Sequence, residues 1–564
     1  MLPRSLRSPL VLTAVALAVV VVLPVLALGS SVFAAGTAGV WRHLASTVLP
    51  DYLATTVVLL VLVGLGVTAV GVGAAWLVTM LDFPGRRGFE WLLVLPMAMP
   101  AYVMAYAYTD LLQFAGPVQG ALREAFGWQR GDYRFPEIRS TAGAAAMFVL
   151  VLYPYVYLLA RTAFVERTGS VLEVSRSLGL GPWSSFLRLS LPLARPAIAG
   201  GVALALMETL ADYGTVSYFG VQTFTTGIYR AWLSLGDRQA AAQLACALLG
   251  FVIVVLALER ITRGRAHYAL AGGRARAPVR LPLRRGHAML AAAACAIPVI
   301  AGFVLPAFVL LLLAFEARAD LLPIHYLQLA ANSCLVAGLA AVLAVGLATV
   351  LAYARRLHPM PVTSAAARAV GFGYAIPGAV IAVGILIPLG LVDHAIDALA
   401  RRWFDISTGL LLTGTLFALV YACLVRFLAV AQETVETGLG KITRAMDDAA
   451  RSLGFGPAHT LWHVHRPLMW GSLLTASLLV FVDVMKELPA TLALRPFNFD
   501  TLATRAYTYA SDERLGEAAV ASLLIVAVGT LPVLALTRAI RRRAPTLSRA
   551  PSASPAHPAA AGSR

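Results

Sequence analysis

Lysine is almost absent from this 564-residue chain: Lys441 and Lys486 are the only two. Lys441 is followed by Ile442 and no G-x-x-x-x-G-K-[ST] loop occurs, which excludes nucleotide binding by that route. Cysteine is scarce as well. Cys246, Cys295, Cys334 and Cys423 lie far apart, each inside an apolar run and without C-x-x-C spacing, so they read as small buried hydrophobes. Charged residues make up only 13% of the chain. A nucleophile elbow and an H-E-x-x-H pattern are also missing, which leaves no recognisable catalytic constellation. The chain reads as a non-enzyme that binds no cofactor itself.

What is plentiful is hydrocarbon. The sequence is 59% hydrophobic and contains many apolar runs of about 20 residues, the length that crosses a bilayer core. Twelve windows stand out, near 9–33, 54–80, 89–113, 141–161, 197–217 and 239–258, then 288–315, 328–353, 366–391, 407–429, 472–492 and 517–538. Backbone groups in lipid must be satisfied within their own segment, so each is expected to be a helix and the fold class is all-α polytopic. A net charge of +17 could suggest nucleic acid, but the arginines sit in short loops and tails beside the apolar runs, as cytoplasmic anchoring requires. Lipid, and no nucleic acid, is the expected surrounding. The amino-terminal run behind Arg4 and Arg7, with a small-residue site near Ala34, could be a signal peptide; its length favours an uncleaved first span.

Eight arginines lie in 259–287 and six from Arg538 onward, against two in 218–238 and one in 316–327. That asymmetry predicts both termini in the cytoplasm. The halves repeat at an offset of 275: Arg176-Ser177-Leu178-Gly179 matches Arg451-Ser452-Leu453-Gly454, and Gly181-Pro182 matches Gly456-Pro457. The register is expected to run on without a gap through Pro192/Pro467, Glu208/Asp483, Phe224/Phe499, Thr226/Thr501, Arg230/Arg505 and Asp237/Asp512; Pro100 matches Pro377 at 277. Six spans per half, an even number, insert both copies the same way up, as parallel repeats. The expected organisation is a first six-helix domain over 1–258, a basic cytoplasmic linker over 259–287, a second domain over 288–538 and a disordered tail over 539–564.

Two polar interruptions, 173-EVSRSLGLGPWSSFLRLSLPL-193 and 448-DAARSLGFGPAHTLWHVHRPL-468, fall between the fourth and fifth spans of their halves. Each reads as a short helix stopped by glycine and proline, then a second amphipathic piece. Two such helices on one face suit a symmetric partner. His459, His463 and His465 invite a metal reading, but without carboxylate or thiolate support they read as a solvated helix face.

The spacing Glu173, Gly179, Leu189, Leu191-Pro192 resembles the EAA loop of membrane subunits of binding-protein-dependent ABC importers of type I. The resemblance implies loops over 166–196 and 430–471 whose coupling helices seat in a cytoplasmic ATPase dimer. It carries coupling roles onto Glu173, Ser175, Gly179, Gly181 and Pro192, and onto Asp448, Ala450, Gly454, Gly456 and Pro467. Asp448 stands where the family has glutamate, and Arg466 where it has leucine. ATP and Mg²⁺ are implied only on that partner, an extracytoplasmic or periplasmic binding protein delivers the cargo, and the location is the bacterial inner membrane.

The fifth spans carry Glu208 and Asp212, and Asp483 and Glu487. Spaced four apart, each pair is expected on one helix face, and charge in a bilayer usually faces a cavity or partner, which makes these four the pathway candidates. A structural role is the alternative, with Asp483 paired to Lys486. Tyr102, Tyr106, Tyr108, Tyr153, Tyr155 and Tyr157 read mostly as belt or packing residues. The stretches 206–238 and 481–507 resemble the fused two-domain permeases for ferric iron, whose cargo suits hard oxygen donors. Related permeases carry thiamine, polyamine, sulfate or phosphonate, and an ion-gradient-driven secondary transporter could use the same acids.

Overall fold

The computed structural model describes residues 8–32, 37–129, 131–177, 179, 181–263, 280–317 and 323–543. Eleven helices among these are long and apolar enough to cross a membrane: Pro9–Ser31, Leu49–Met80, Thr141–Val165, Trp183–Ala211 and Arg238–Thr262, then Arg285–Glu316, Ile324–Leu357, Gly378–Phe404, Leu416–Gly440, Pro457–Met485 and Leu515–Pro532. The pair Arg86–Ala98 and Ala101–Phe126, bent by 91°, brings the number to twelve when counted as one broken third span. All twelve expected windows are thereby accounted for. Exposed leucine and valine side chains such as Leu65, Leu290 and Val342 cover the outside of the bundle, as lipid contact requires. Of the four cysteines, Cys295 and Cys423 are buried and Cys246 partly so; Cys334 is exposed on this apolar exterior, correcting its reading as buried.

The halves repeat in detail. A short 3₁₀ turn, Leu95–Ala98 or Phe372–Ala375, leads to a proline N-cap, Pro100 or Pro377, from which a helix starts. Pro182–Ser185 followed by a wide turn over Phe186–Ser190 recurs as Pro457–Thr460 followed by Leu461–His465. Beyond the fifth span the ungapped register fails. The next long-range landmarks are the capping boxes Thr223/Thr226 and Thr501/Thr504, which lie 278 apart because the stretch between Asp483 and Thr501 is three residues longer than its counterpart. The pairings Phe224/Phe499 and Thr226/Thr501 are therefore not structural equivalents.

Counted along the sequence each half has six spans, but packing exchanges the first of each. Pro9–Ser31 lies against Ile324–Leu357, Pro361–Gly371 and Gly378–Phe404 of the other half, where Tyr421 donates to the Val20 carbonyl at 2.6 Å. Any Cβ at Gly384 would stand 2.5 Å from the Pro24 carbonyl oxygen, so glycine there permits the approach. Arg285–Glu316 also reaches the first half, against Leu49–Met80 and Ala101–Leu112, while its end, Leu305–Glu316, packs on Leu515–Arg543 of its own half; Tyr108 donates to the Ala301 carbonyl at 2.7 Å. Neither half is a self-contained bundle. The linker is reduced to its ends: the sixth helix continues to Arg263, Leu81–Asp82 pairs in parallel with Leu281–Pro282, and 264–279 lie outside the described residues. The last helix runs to Arg543, and the expected tail beyond it is likewise outside them.

Candidate functional site

Between the halves lies a cavity of about 120 Å³. Glu208, Asp212, Asp483 and Glu487 all line it, together with Arg426, Lys486, Tyr102, Tyr155 and Tyr374. The sequence-based grouping of four acids is reproduced, although not by the expected helix face. The fifth spans end at Ala211 and Met485, so Asp212 and Glu487 sit just past them, Asp212 in extended backbone with φ −71° and ψ 139°. Each caps the short helix that follows. Asp212 accepts from Thr215 N at 2.9 Å, Val216 N at 3.2 Å and Thr215 Oγ1 at 3.0 Å, and Glu487 accepts from Ala490 N at 3.0 Å. Glu208 and Asp483 lie one turn earlier and do no capping.

Arg426 is the residue that sequence reasoning missed. From the tenth span it donates to Glu487 Oε2 at 2.7 Å and to Glu208 Oε2 at 3.4 Å, bridging an acid from each half. Its guanidinium is 7% exposed. The rule that singled out the acids, that charge in a span is costly and usually functional, would have found it in 418-ALVYACLVRFLAV-430. Its repeat counterpart is Val151, which lines the same cavity. Lys486 pairs with Asp483 at 3.0 Å, as the structural alternative anticipated. Four carboxylates thus face two cations.

Of the tyrosines singled out, Tyr102 and Tyr155 line the cavity, whereas Tyr106, Tyr108, Tyr153 and Tyr157 are buried in helix packing rather than ranged in a belt. Sequence did not pick out Tyr213, Tyr229 and Tyr507. Tyr213 stacks 4.1 Å from Tyr229 and 5.5 Å from Tyr507, and Tyr229 donates to the Pro489 carbonyl. Rings from both halves thereby separate the acidic cavity from a second, of about 280 Å³, lined by Tyr52, Tyr213 and Arg230.

The two polar loops precede the fifth spans that carry the cavity's acids. In the first, the fourth span does not stop: one helix, Thr141–Ser177, runs into the loop, a correction to the expected separate short helix. Glu173 and Ser175 lie on it, with side chains outside the described residues. In the second, a break at Lys441–Thr443 separates the span from Arg444–Ser452. Both glycines adopt the left-handed conformation, Gly179 at φ 65° and Gly454 at φ 81°. Phe455 N donates to the Ala450 carbonyl and Gly454 N to that of Arg451, both at 3.0 Å, the paired bonds of a Schellman stop. Gly181 and Gly456 then precede the next turn, their carbonyls each accepting at 2.9 Å from Ser185 and Thr460. Pro192 and Pro467 open the fifth spans at positions that need no N–H donor. Residues 451–459 are exposed throughout, whereas Ala450 is buried. Asp448 is exposed and paired with Arg451.

A polar clamp holds the base of the second loop. Arg356 donates to Asp447 Oδ2 at 2.8 Å and to the Leu439 and Ile442 carbonyls at 2.9 and 3.0 Å, while His465 meets Asp447 Oδ1 at 2.7 Å. His465 is therefore buried in a pair, not on a solvated face; His459 and His463 are exposed and stack at 4.0 Å. No group of three metal-ligating side chains occurs among the described residues. Burial pushes the Asp447 carboxyl up, but the bonds from Arg356 and His465 outweigh it and hold it below its ordinary 3.8. A depressed acid stabilises above the unfolded value and loses that contribution as pH falls through its folded one. Asp447→Asn is expected to cost about 1.5–3 kcal/mol at pH 5, with the gap to the native chain closing as the pH is taken below 3.8. Unfolding temperature in detergent at the two pH values checks this; a gap that persists in acid contradicts it.

A duplicated helical membrane bundle with a charged cavity on its pseudo-twofold and two matched loops on one side defines a multi-pass permease. Residues 67–266 and 344–544 each match the family described as binding-protein-dependent transport system inner membrane component, and the chain belongs to that family of inner-membrane transport components. It is 25% identical over 496 residues to the Fe(3+)-transport system permease protein FbpB 2 of Haemophilus influenzae, covering 87% of this chain and 90% of that one. With the ferric transport system permease protein FbpB of Actinobacillus pleuropneumoniae it shares 22% identity, over 73% and 60% of the two chains. The molybdenum transport system permease protein ModB of Escherichia coli is 26% identical over 35% of this chain and 87% of its own length. That nearly the whole of ModB matches about a third of this chain agrees with a duplicated unit.

Proposed function

We propose that this chain is the membrane permease of an ATP-driven importer for ferric iron delivered by an extracytoplasmic binding protein. The observation that carries the cargo reading is the cavity itself: four carboxylates against two cations, with a phenol beside them. Hard oxygen donors with excess negative charge suit a hard cation and repel an oxyanion such as molybdate or sulfate. The two relatives from Haemophilus influenzae and Actinobacillus pleuropneumoniae, each matched over most of this chain, are named for ferric transport.

The energy source sits in a separate nucleotide-binding dimer. The exposed stops at Gly179 and Gly454 offer it two matched seats, and closure of the dimer moves helices joined to those stops. The first loop transmits through a helix continuous with the fourth span, and the second through the clamp of Arg356, Asp447 and His465. Both loops and both termini are cytoplasmic in this reading, with the tyrosine-lined side facing the binding protein.

Vesicles holding the full complex are expected to take up radioactive iron only when ATP is inside and the binding protein is loaded with ferric ion. Uptake of molybdate, thiamine or a polyamine without iron overturns the cargo. Uptake under an ion gradient without the ATPase overturns the energy source.

A further inference from the structure

Arg426 occupies the place a cargo cation would take. Its guanidinium lies between Glu208 of the first half and Glu487 of the second, at 3.4 and 2.7 Å, and its Nε is buried without a hydrogen-bond partner. Tyr102, 4% exposed, lines the same cavity, and its hydroxyl is likewise buried without a partner. A buried polar group without a partner costs free energy and marks a site whose partner is elsewhere or intermittent. With Arg426 and Lys486 between them, the carboxylates do not converge on a point.

We infer that Arg426 is a tethered counter-cation: it holds the two halves together across the acidic cavity, and a hard multivalent cation displaces it to bind Glu208, Glu487 and the Tyr102 hydroxyl. The inference rests on the cation reading of the cavity. One guanidinium leaves two carboxylates, and a cation of higher charge replaces it, so the site is never left with its full negative charge in low dielectric, where uncompensated charge is most costly. The same exchange ties occupancy to the inter-half contact. An oxyanion would have to take the arginine from its carboxylates and leave both of them uncompensated.

The repeat provides the test. Val151 is the counterpart of Arg426 and faces the same cavity, so Arg426→Val/Val151→Arg moves the lock across the pseudo-twofold. Terbium(III) chloride, a hard trivalent probe whose luminescence nearby tyrosines sensitise, is titrated into the purified full chain. Removing one resident positive charge is expected to tighten terbium binding at least roughly tenfold in Arg426→Gln. The swap variant returns to native affinity, and Arg426→Gln/Glu208→Gln/Glu487→Gln loses the gain. Unchanged affinity in Arg426→Gln, or a swap variant that binds as tightly as it, overturns the lock. Where Arg426→Gln does not stay monodisperse, the swap decides alone: weak binding supports the lock and tight binding overturns it. Terbium binding is independent of the cargo the complex carries. A tenfold gain alongside no iron uptake by the native complex sinks the iron reading and leaves the lock standing.

Discussion

Changing Gly179 and Gly454 together to valine is expected to strip the purified chain of the ATP-binding partner proposed for it while leaving the membrane bundle folded. Both residues hold positive φ, 65° and 81°, and a side chain at either would meet nothing within 4 Å. The penalty is therefore conformational rather than steric. Left-handed backbone costs an L-residue about 1–2 kcal/mol, and a β-branched one more. Each loop escapes that cost by leaving its left-handed turn; in the second this opens the Schellman stop and re-aims the exposed segment 451–459. Two seats each misaligned by a few kcal/mol correspond to a loss of partner of roughly a hundredfold or more. Asparagine tolerates this conformation, so the paired Gly→Asn variant is expected to keep its partner. Co-purification and gel filtration in detergent read both effects. A valine variant that retains a stoichiometric partner and transports normally places the seats elsewhere.

Much of this architecture was legible because lipid enforces it. Spans of sufficient length are visible in hydropathy alone, and the repeat was visible because Gly179 and Gly454 each serve a turn that other residues enter only at a cost. Packing partners were not legible. In a soluble helix the apolar stripe points to the core, but Pro9–Ser31 is apolar all round, so nothing in it tells that one face meets Pro24-to-Gly384 contact and another meets lipid. The exchange of first helices between halves followed only from coordinates. The three-residue lengthening before Thr501 escaped notice because Phe499 and Arg505 happen to match at the old offset. Capping boxes, which record where a helix must start, corrected it.

The site divides in the same way. The acids were legible as a class, since charge in a span demands a reason, yet their separate duties were not. Asp212 and Glu487 end up as caps because the fifth spans stop one residue or two before them, a boundary finer than hydropathy resolves. Arg426 reaches partners 61 and 218 residues away, and no periodicity links such positions. The Arg356–Asp447–His465 clamp is equally long-range, and it has no counterpart in the first loop, where Ser190 stands at the position of His465. The two loops are thus matched in their glycine stops and unequal in how they are anchored.

Neutralising the two acids that cap nothing, Glu208→Gln with Asp483→Asn, is expected to lower iron uptake at least roughly a hundredfold at subsaturating cargo. The variant leaves two carboxylates facing Arg426 and Lys486, so the cavity passes from net negative to neutral. At an effective dielectric near 20, one unit charge about 4 Å away is worth about 4 kcal/mol; even heavily discounted for the partial exposure of both side chains, 24% each, two such charges dominate the attraction of a trivalent ion. Folding should suffer little, because amide and carboxylate are nearly isosteric and neither acid holds a helix end. The opposite pair, Asp212→Asn with Glu487→Gln, removes two caps worth about 1 kcal/mol each and the shorter of the two Arg426 ion pairs, 2.7 Å against the 3.4 Å to Glu208 that the first pair gives up, so its loss should appear in thermal stability as well as in uptake. Measured side by side in vesicles and in detergent, the first pair should lose transport with stability kept, and the second should lose both. Normal uptake by the Glu208→Gln/Asp483→Asn variant would mean that iron, if carried, bypasses this cavity, and the charge argument for a cationic cargo would fall with it.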